Sequence, residues 1–476
     1  MRFASPAVLS LMLWSAGLAL GGPRPGSEAQ GSWDGSADTL SLDADQAVEL
    51  ALANNRAIQL AREQVVEAEA GRRVAFGSFL PQVSVSGTYT RLANVSEFTL
   101  GSPVMGKFPI PVRDLQGNII GFTDSIPMIS GYRFDTLQLG NANNYVLRGT
   151  VQQAVFTWGK LLNAYKLAGL ALDVQQQALA RARAQVQVDA VAGFYQALLT
   201  REMAALMAES YAQLQRHVNQ VQALYDNGLA TKLDLMRSQV GLTNMAAQVS
   251  QLQSGAELAL AALRTTIGVP AATPLVLQGE LAPETSSVDL AAATDSALSN
   301  RPELAQLRTA VRMAELGVRI ARTANLPTAF AALNYDYKRP VGFDDNWGSD
   351  WNATVGLTMP LFTGGANLNK VKQAESKHRQ AAVGLALAEE GIRLEVQAQV
   401  AALNQEARNI GYQSQNVAVA DAALKLAETR YESGLLTNLE YLDTQLALTQ
   451  SRVAYLTALA NYQVARARLR KAIGEN

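Results

Sequence analysis

Two stretches decide the fold: Tyr225-Asp226-Asn227-Gly228-Leu229-Ala230-Thr231 and Tyr431-Glu432-Ser433-Gly434-Leu435-Leu436-Thr437. They share Tyr, Gly, Leu and Thr at the same places, 206 residues apart. Phe156-Thr157 with Gly159 recurs as Phe362-Thr363 with Gly365 at that same offset. Two more anchors, Asn54 with Asn300 and Leu80-Pro81 with Leu326-Pro327, match at an offset of 246. The chain is therefore an internal duplication, and the first copy holds about 40 additional residues between Pro81 and Phe156. Loops drift in length, so constant spacing from Phe156 to Tyr225 implies rigid structure.

That rigid stretch is helical. From Gly159 to Asp226 there is no Pro and little Gly, and a helix of that length reaches roughly 100 Å, far beyond what a globular core needs. Apolar residues near its end alternate in steps of three and four: Tyr211, Leu214, Val218, Val221, Tyr225, and in the second copy Val417, Ala420, Leu424, Ala427, Tyr431. The returning helices show Leu233, Met236, Val240, Thr243, Ala247 and Leu439, Leu442, Leu446, Thr449, Val453. This is coiled-coil spacing. Each copy is a helical hairpin whose chain reverses at Gly228 or Gly434, where Gly tolerates the left-handed geometry that ends a helix. Asp234 and Glu440 fall in the first turn of the returning helix, the end that favours negative charge. A second seam (Val186, Ala190, Gly193, Ala197 beside Val188, Val191, Tyr195, Leu198) gives one helix neighbours on two sides, as in a closed cylinder of helices.

Between the anchors lie four alternating segments. Val83, Val85, Gly87 and Tyr89 alternate with Ser84, Ser86, Thr88 and Thr90; Tyr145, Leu147, Gly149 and Val151 with Val146, Arg148, Thr150 and Gln152. The second copy has Thr328–Tyr337 and Trp351–Met359. Period two over about ten residues fits a strand that crosses a bilayer at a tilt. Tyr89, Tyr145, Tyr335, Tyr337 and Trp351 gather at the ends away from the helices, as an interfacial aromatic girdle does. An open sheet edge is not tolerated in lipid, so several protomers must share one barrel; three would supply twelve strands.

The start of the chain reads as an address. Arg2 precedes an apolar run from Ala7 to Leu20, too short to span a bilayer and suited to a signal peptide over residues 1–29, with Ser27-Glu28-Ala29 or Ala19-Leu20-Gly21 at the cleavage point. No later apolar run reaches the length of a membrane-spanning helix. Forty Lys and Arg against 41 Asp and Glu give a net charge of −1, which argues against nucleic acid as partner. The absence of Cys excludes disulfides, thiol catalysis and a Cys-anchored lipid, and two isolated His make a His-based metal site unsupported. No cofactor and no catalysis are expected.

The order signal, helix, strand, strand, long helix, reversal and helix, with the second half repeating the first, resembles the TolC-like outer membrane efflux family. Asn300-Arg301-Pro302-Glu303-Leu304, Leu326-Pro327, Pro360-Leu361-Phe362-Thr363-Gly364-Gly365 and the two Gly-Leu-x-Thr turns look like that family's signatures, and the similarity covers about 40 to 476. The resemblance implies a mainly α fold with a small β part: a duplicated strand–strand–long helical hairpin unit, trimerised into a 12-stranded outer-membrane β-barrel continued by a periplasmic α-helical barrel. The first repeat then covers 30–269, with a β-hairpin at 82–154, a long extracellular loop at 92–144 and a helical hairpin at 159–267. An equatorial linker follows at 270–287. The second repeat covers 288–476, with a β-hairpin at 328–362, a short loop at 338–350 and a helical hairpin at 366–472.

The implied function is a passive exit duct of a tripartite efflux pump exporting small molecules. Its partners are two further copies, outer-membrane lipid, and a periplasmic adaptor that connects to an inner-membrane transporter. The same architecture serves type I protein secretion, and a periplasmic coiled-coil scaffold without a pore is the third reading. Carried over by residue, Gly228, Leu229, Thr231, Gly434, Leu435 and Thr437 are adaptor-docking tips; Glu440 and Asp443 narrow the entrance; Tyr431 and Asp234 form an entrance latch. The family's other latch places Arg where this chain has Leu436, so that link is missing, and Arg237 is the candidate for a different lock. His217 and His378 read as surface or seam residues, Gly364-Gly365 as a strand-to-helix turn, Asn94-Val95-Ser96 as a chance glycosylation triplet, and the Arg466–Lys471 cluster as a solvated helix face.

Overall fold

The computed structural model describes residues 40–138, 140–283, 288–342 and 344–475; the expected signal segment at 1–29 and part of the expected linker lie outside the described residues. In the first copy β1 (Leu40–Leu42) leads into α1 (Ala44–Asn54) and α2 (Arg56–Gly77). Strand β2 (Gln82–Arg91) is followed by β3 (Glu97–Phe108), β4 (Pro111–Arg113), β5 (Ile119–Phe122), β6 (Ile126–Gln138) and β7 (Asn143–Phe156). Helices α3 (Lys160–Asp226) and α4 (Lys232–Ile267) complete the copy. Strand β8 (Leu275–Leu277) pairs in parallel with β1. The second copy repeats the plan as α5 (Leu290–Asn300), α6 (Pro302–Arg322), β9 (Thr328–Arg339), β10 (Gly348–Thr358), α7 (Ala366–Glu432) and α8 (Asn438–Ile473).

The duplication is kept in detail. Helices α1 and α5 are both 11 residues, α3 and α7 both 67, and α4 and α8 both 36. The starts repeat because the capping chemistry repeats: the Asp43 carboxylate accepts from the Gln46 amide at 2.8 Å, and Asp289 caps α5 in the same way. The tip turns end on capping boxes, Thr231 with Asp234 and Thr437 with Glu440. Each copy buries its own core. Ala47, Ala51, Ile58, Val186, Ala190, Phe194, Leu263 and Ile267 in one correspond to Ala293, Ala297, Leu304, Ile392, Val396, Val400, Leu469 and Ile473 in the other, at the two offsets that the anchors set.

The seam of the returning helices differs from the sequence reading. Leu233, Met236 and Val240 are exposed, and Leu235, Ser238 and Met245 face inward instead. In the second copy Leu439 and Leu446 are exposed while Asn438, Tyr441, Gln445 and Leu448 are buried. The buried stripes again have steps of three and four, two residues out of phase with the expected one in the first copy and one residue in the second, where Thr449 is buried as expected. Spacing alone does not choose between them.

Strands β2, β7, β9 and β10, which hold the four alternating segments, form one antiparallel sheet in the order β10-β9-β7-β2. One face is a polar ladder. Arg148 donates two hydrogen bonds to Asp336 at 2.7 and 2.8 Å, Thr150 meets Asn334 at 2.9 Å, and Asn334 donates to Asn352 at 3.0 Å. The other face carries Val83, Val85, Leu147, Leu333, Val355 and Leu357, all exposed. The connection at 92–144, expected as a loop, is largely strand: β3 pairs with β6 and β4 with β5.

Candidate functional site

The site has two ends, an aromatic band on the sheet and a polar cluster at the helical tips. On the sheet, register places Tyr89 opposite Tyr145 and Tyr335 opposite Trp351. The Tyr89 and Tyr145 rings lie 4.9 Å apart, and the Tyr89 hydroxyl donates to Asn143 at 3.0 Å. Trp347, which strand patterning missed because it sits outside the alternating run, stacks on Tyr337 at 5.0 Å and approaches Tyr145 at 5.8 Å. A second aromatic group at the helix-proximal end was also missed: Phe156 meets Trp158 at 5.0 Å, and the Trp158 indole donates to the Pro327 carbonyl at 2.7 Å. The exposed apolar face is thus bracketed by amphipathic rings at both ends, the arrangement a lipid-facing strand needs.

At the tips Gly228 and Gly434 have φ of 75° and 69°. These left-handed turns leave Leu229 and Leu435 more than three-quarters exposed, and Thr231 and Thr437 act as caps. The Glu440 carboxylate accepts from the Thr437 amide at 2.9 Å and from its hydroxyl at 2.7 Å, and these bonds hold it below the usual carboxylate range. Asp443 is exposed close by on the same helix. The expected latch pair is close but not bonded within one chain: the Asp234 carboxylate is taken by the Thr231 hydroxyl at 2.5 Å. Burial, and then the charge of Asp234, push the Tyr431 phenol up. Leu436 packs beside Leu424, Ala427, Tyr441 and Leu448, and Arg237 is exposed.

The centre of the tip is His217, which sequence reading treated as an unremarkable surface or seam position. It is 4% exposed. Its Nε2 lies 2.7 Å from the Asn438 side-chain oxygen. The Asn438 amide in turn donates to the Asp234 carbonyl and to Ser238, both at 3.0 Å. The imidazole stacks on Tyr441 at 4.1 Å and lies 5.0 Å from Tyr431. The imidazole therefore ties α3 to α7 and α8 directly, and to α4 through Asn438. The only available signal was its place one residue before seam residue Val218.

Burial lowers the His217 pKa, and the Asn438 bond opposes this only in part. The packed tip therefore favours the neutral ring, while an opened tip takes up a proton near 6.5. The seam has its full stability above about 6.5 and loses it as pH falls below. Each tenfold preference for the neutral form is worth about 1.4 kcal/mol. Acidification from about pH 7.5 to about 5 is expected to lower the protection of the tip-helix amides, taken relative to the exchange of an unstructured chain at the same pH, and His217→Gln is expected to flatten that dependence. Equal protection at both pH values in the parent chain contradicts this.

Among the described residues no cluster of His, Asp and Glu could hold a metal ion, and no helix is long and apolar enough to cross a membrane.

Comparison with known proteins agrees with this geometry. The family model described as outer membrane efflux protein matches residues 47–269 and 293–475. Outer membrane protein OprJ of Pseudomonas aeruginosa is 24% identical, over 99% of this chain and 95% of its own. Alkaline protease secretion protein AprF of the same organism is 26% identical over 69% of each. The solved CmeC outer membrane channel of Campylobacter jejuni superposes with a TM-score of 0.72 at 18% identity, covering 91% of this chain and 85% of that one.

Proposed function

Since the chain belongs to the outer membrane efflux protein family and resides in the outer membrane, we propose that it is the passive exit duct of a tripartite efflux pump for small molecules. Three copies share a twelve-stranded barrel that continues into a periplasmic helical barrel. The sheet carries this reading: one face is polar and ion-paired, the other is apolar with aromatic ends, and both edges, β2 and β10, lack a partner strand among the described residues. Such edges are satisfied in lipid only by the next copy. The outward stripe of Leu233, Met236 and Val240 supplies an apolar surface for the neighbouring helices.

The turns at Gly228-Leu229-Thr231 and Gly434-Leu435-Thr437 present exposed leucines to an adaptor, which links the duct to an inner-membrane transporter. Glu440 and Asp443 form the constriction. Three copies of each around a narrow axis concentrate negative charge where the dielectric is low. The capping bonds of Glu440 suit that role, since they keep the carboxylate ionised. Tyr431, with Asp234 of the same or a neighbouring copy, restrains the entrance, and the His217 cluster braces it.

Single-channel recording in a planar bilayer tests this. The parent chain is expected to give discrete cation-selective steps; Glu440→Ala with Asp443→Ala is expected to raise conductance and to lower cation preference several-fold. Steps indifferent to both changes misplace the constriction. No steps at all, with release of the chain from membranes by carbonate, return the scaffold reading. Type I secretion is the second reading, favoured by the likeness to a protein named for alkaline protease secretion. Export of a dye, as against a polypeptide, from cells carrying the chain separates the two.

A further inference from the structure

Strands β3 and β6 form a two-stranded ribbon paired from Glu97 to Phe108 and from Ile126 to Gln138. Twelve residues of strand reach about 40 Å. The ribbon is continued by the β4–β5 pair and rooted on the barrel sheet. It leaves from the end of β2 and returns at β7, where the Leu92 amide donates to the Ala142 carbonyl at 2.7 Å. Among the described residues no helix or barrel strand packs along it. A lone ribbon of this kind holds together poorly in water, so it needs a surface to rest on.

Its two faces differ. Arg133 and Asp135 lie with Phe98 and Leu100 on one. On the other, Pro103 sits opposite Tyr132, Gly101 opposite Phe134, and Met105 opposite Ile129 across a bulge. The Phe134 ring covers Gly101, where an added Cβ would come within 3.1 Å of it. Met105, Ile129, Tyr132 and Phe134 are all more than half exposed, and the charges of this face, Glu97 and Lys107, stand at either end of them. An uncharged apolar patch of this size marks an interaction surface.

Lipid does not fit as the cover. The ribbon starts beyond the Tyr89–Tyr145 level, where the aromatic girdle ends the membrane band, and its unpaired strand edges cannot be satisfied in hydrocarbon. A second copy of the chain does fit. The ribbon root includes β2, the free edge at which the next copy joins the barrel. On a twelve-stranded rim the roots of neighbouring ribbons stand about 20 Å apart, less than the length of one ribbon. A face turned to a symmetry axis meets its own copies, which suits a patch without charge.

We propose that the ribbon's partner is the same ribbon in the other copies of the chain, the Tyr132–Phe134 faces meeting over the outer mouth as a cap. This rests on the shared-barrel reading, and the test separates the two. The chain has no Cys, so one introduced thiol reports alone. With the full chain in the outer membrane of intact cells, Phe134→Cys treated with a short bis-maleimide is expected to give a dimer band on a denaturing gel. Arg133→Cys, on the opposite face, is expected to give several-fold less. The mass of the detergent-extracted complex is measured in parallel. A trimer mass with no Phe134→Cys dimer, or with equal linking from both positions, overturns the cap and leaves the barrel standing. A monomer mass overturns both. Linking of Phe134→Cys to a different protein in place of a second copy also overturns the cap.

Discussion

Replacing Gly268 with Ala is expected to cost the fold about 2–5 kcal/mol, and Gly474→Ala a similar amount. Both glycines end the returning helices, α4 and α8, with φ of 72° and 75°. That conformation alone costs a residue with a Cβ about 1–2 kcal/mol. The remainder comes from crowding that has nowhere to go. A Cβ at 268 would stand 2.7 Å from the Asn54 carbonyl oxygen, and one at 474 would stand 2.9 Å from the Asn300 Cβ and 3.0 Å from its carbonyl carbon. These neighbours are largely backbone, fixed where α1 passes to α2 and α5 to α6, so the contact between hairpin and short helices must open. Gly228 is the control. Its φ is 75°, but nothing lies within 4 Å of an added Cβ, so Gly228→Ala is expected to show the conformational cost alone. Thermal loss of the helical circular dichroism signal in detergent measures all three. Equal effects at 228 and 268 contradict the role given to the Asn54 contact.

That contact shows what the sequence disclosed. Asn54 and Asn300 were legible as matched anchors because a repeat offset needs no structural knowledge. Their partners Gly268 and Gly474, separated by the other offset, were equally available as a pair. What linked them was contact across more than 170 residues of chain, which neither periodicity nor capping reports. Helix lengths and tip turns were legible because caps, glycines and apolar spacing are local signals. The phase of the returning seams was not: Leu233-Met236-Val240 and Leu235-Ser238-Leu242 both keep coiled-coil steps, and the buried stripe contains Ser238 while the exposed one is all apolar. A hydrophobicity rule selects the wrong one whenever the helix carries a second, exposed apolar stripe.

The site divides in the same way. That Tyr89 and Tyr145, and Tyr335 and Trp351, share one face of the sheet was legible from alternation, but Trp347 lies in the connection between β9 and β10 and joins them only through the fold. His217 was hidden because its partners come from two other helices, more than 200 residues away in the chain. The ribbon was hidden because Gly- and Pro-rich strands with mixed alternation read as loop: β3 contains Gly101, Pro103 and Gly106, and the bulge at Ser130 of β6 shifts the parity on which strand patterning depends.

Glu395→Gln is expected to destabilise the chain more than Arg301→Met does, although Glu395 is the more exposed partner. The Arg301 side chain is 6% exposed and pairs with Glu395 at 2.5 Å and, more loosely, with Glu303 at 3.5 Å. Burial alone disfavours its charge, but the two carboxylates overcome this and the guanidinium is held more firmly protonated than usual. Removing the Glu395 charge leaves a buried cation with only the longer ion pair, the Gln amide oxygen offering a neutral acceptor in place of the carboxylate, and an uncompensated buried charge costs about 3–5 kcal/mol. The Glu303 contact keeps the expected loss at the lower end of that range. Removing Arg301 instead leaves Glu395 41% exposed, so its carboxylate can turn to water, and Met fills much of the vacated volume. The expected loss is then about 1–2 kcal/mol. The double variant Arg301→Met/Glu395→Gln is expected to recover most of what Glu395→Gln loses, because the buried charge goes with its partner. Additive losses in that cycle, read from the same thermal transition, rule out the pair as the source of the effect. Asn55, the position equivalent to Arg301 in the first copy, instead caps α2 and donates to the Thr266 carbonyl at 2.8 Å. The two copies thus close the same junction by different means, a neutral bond in one and a buried ion pair in the other, and only the second is expected to show this coupling.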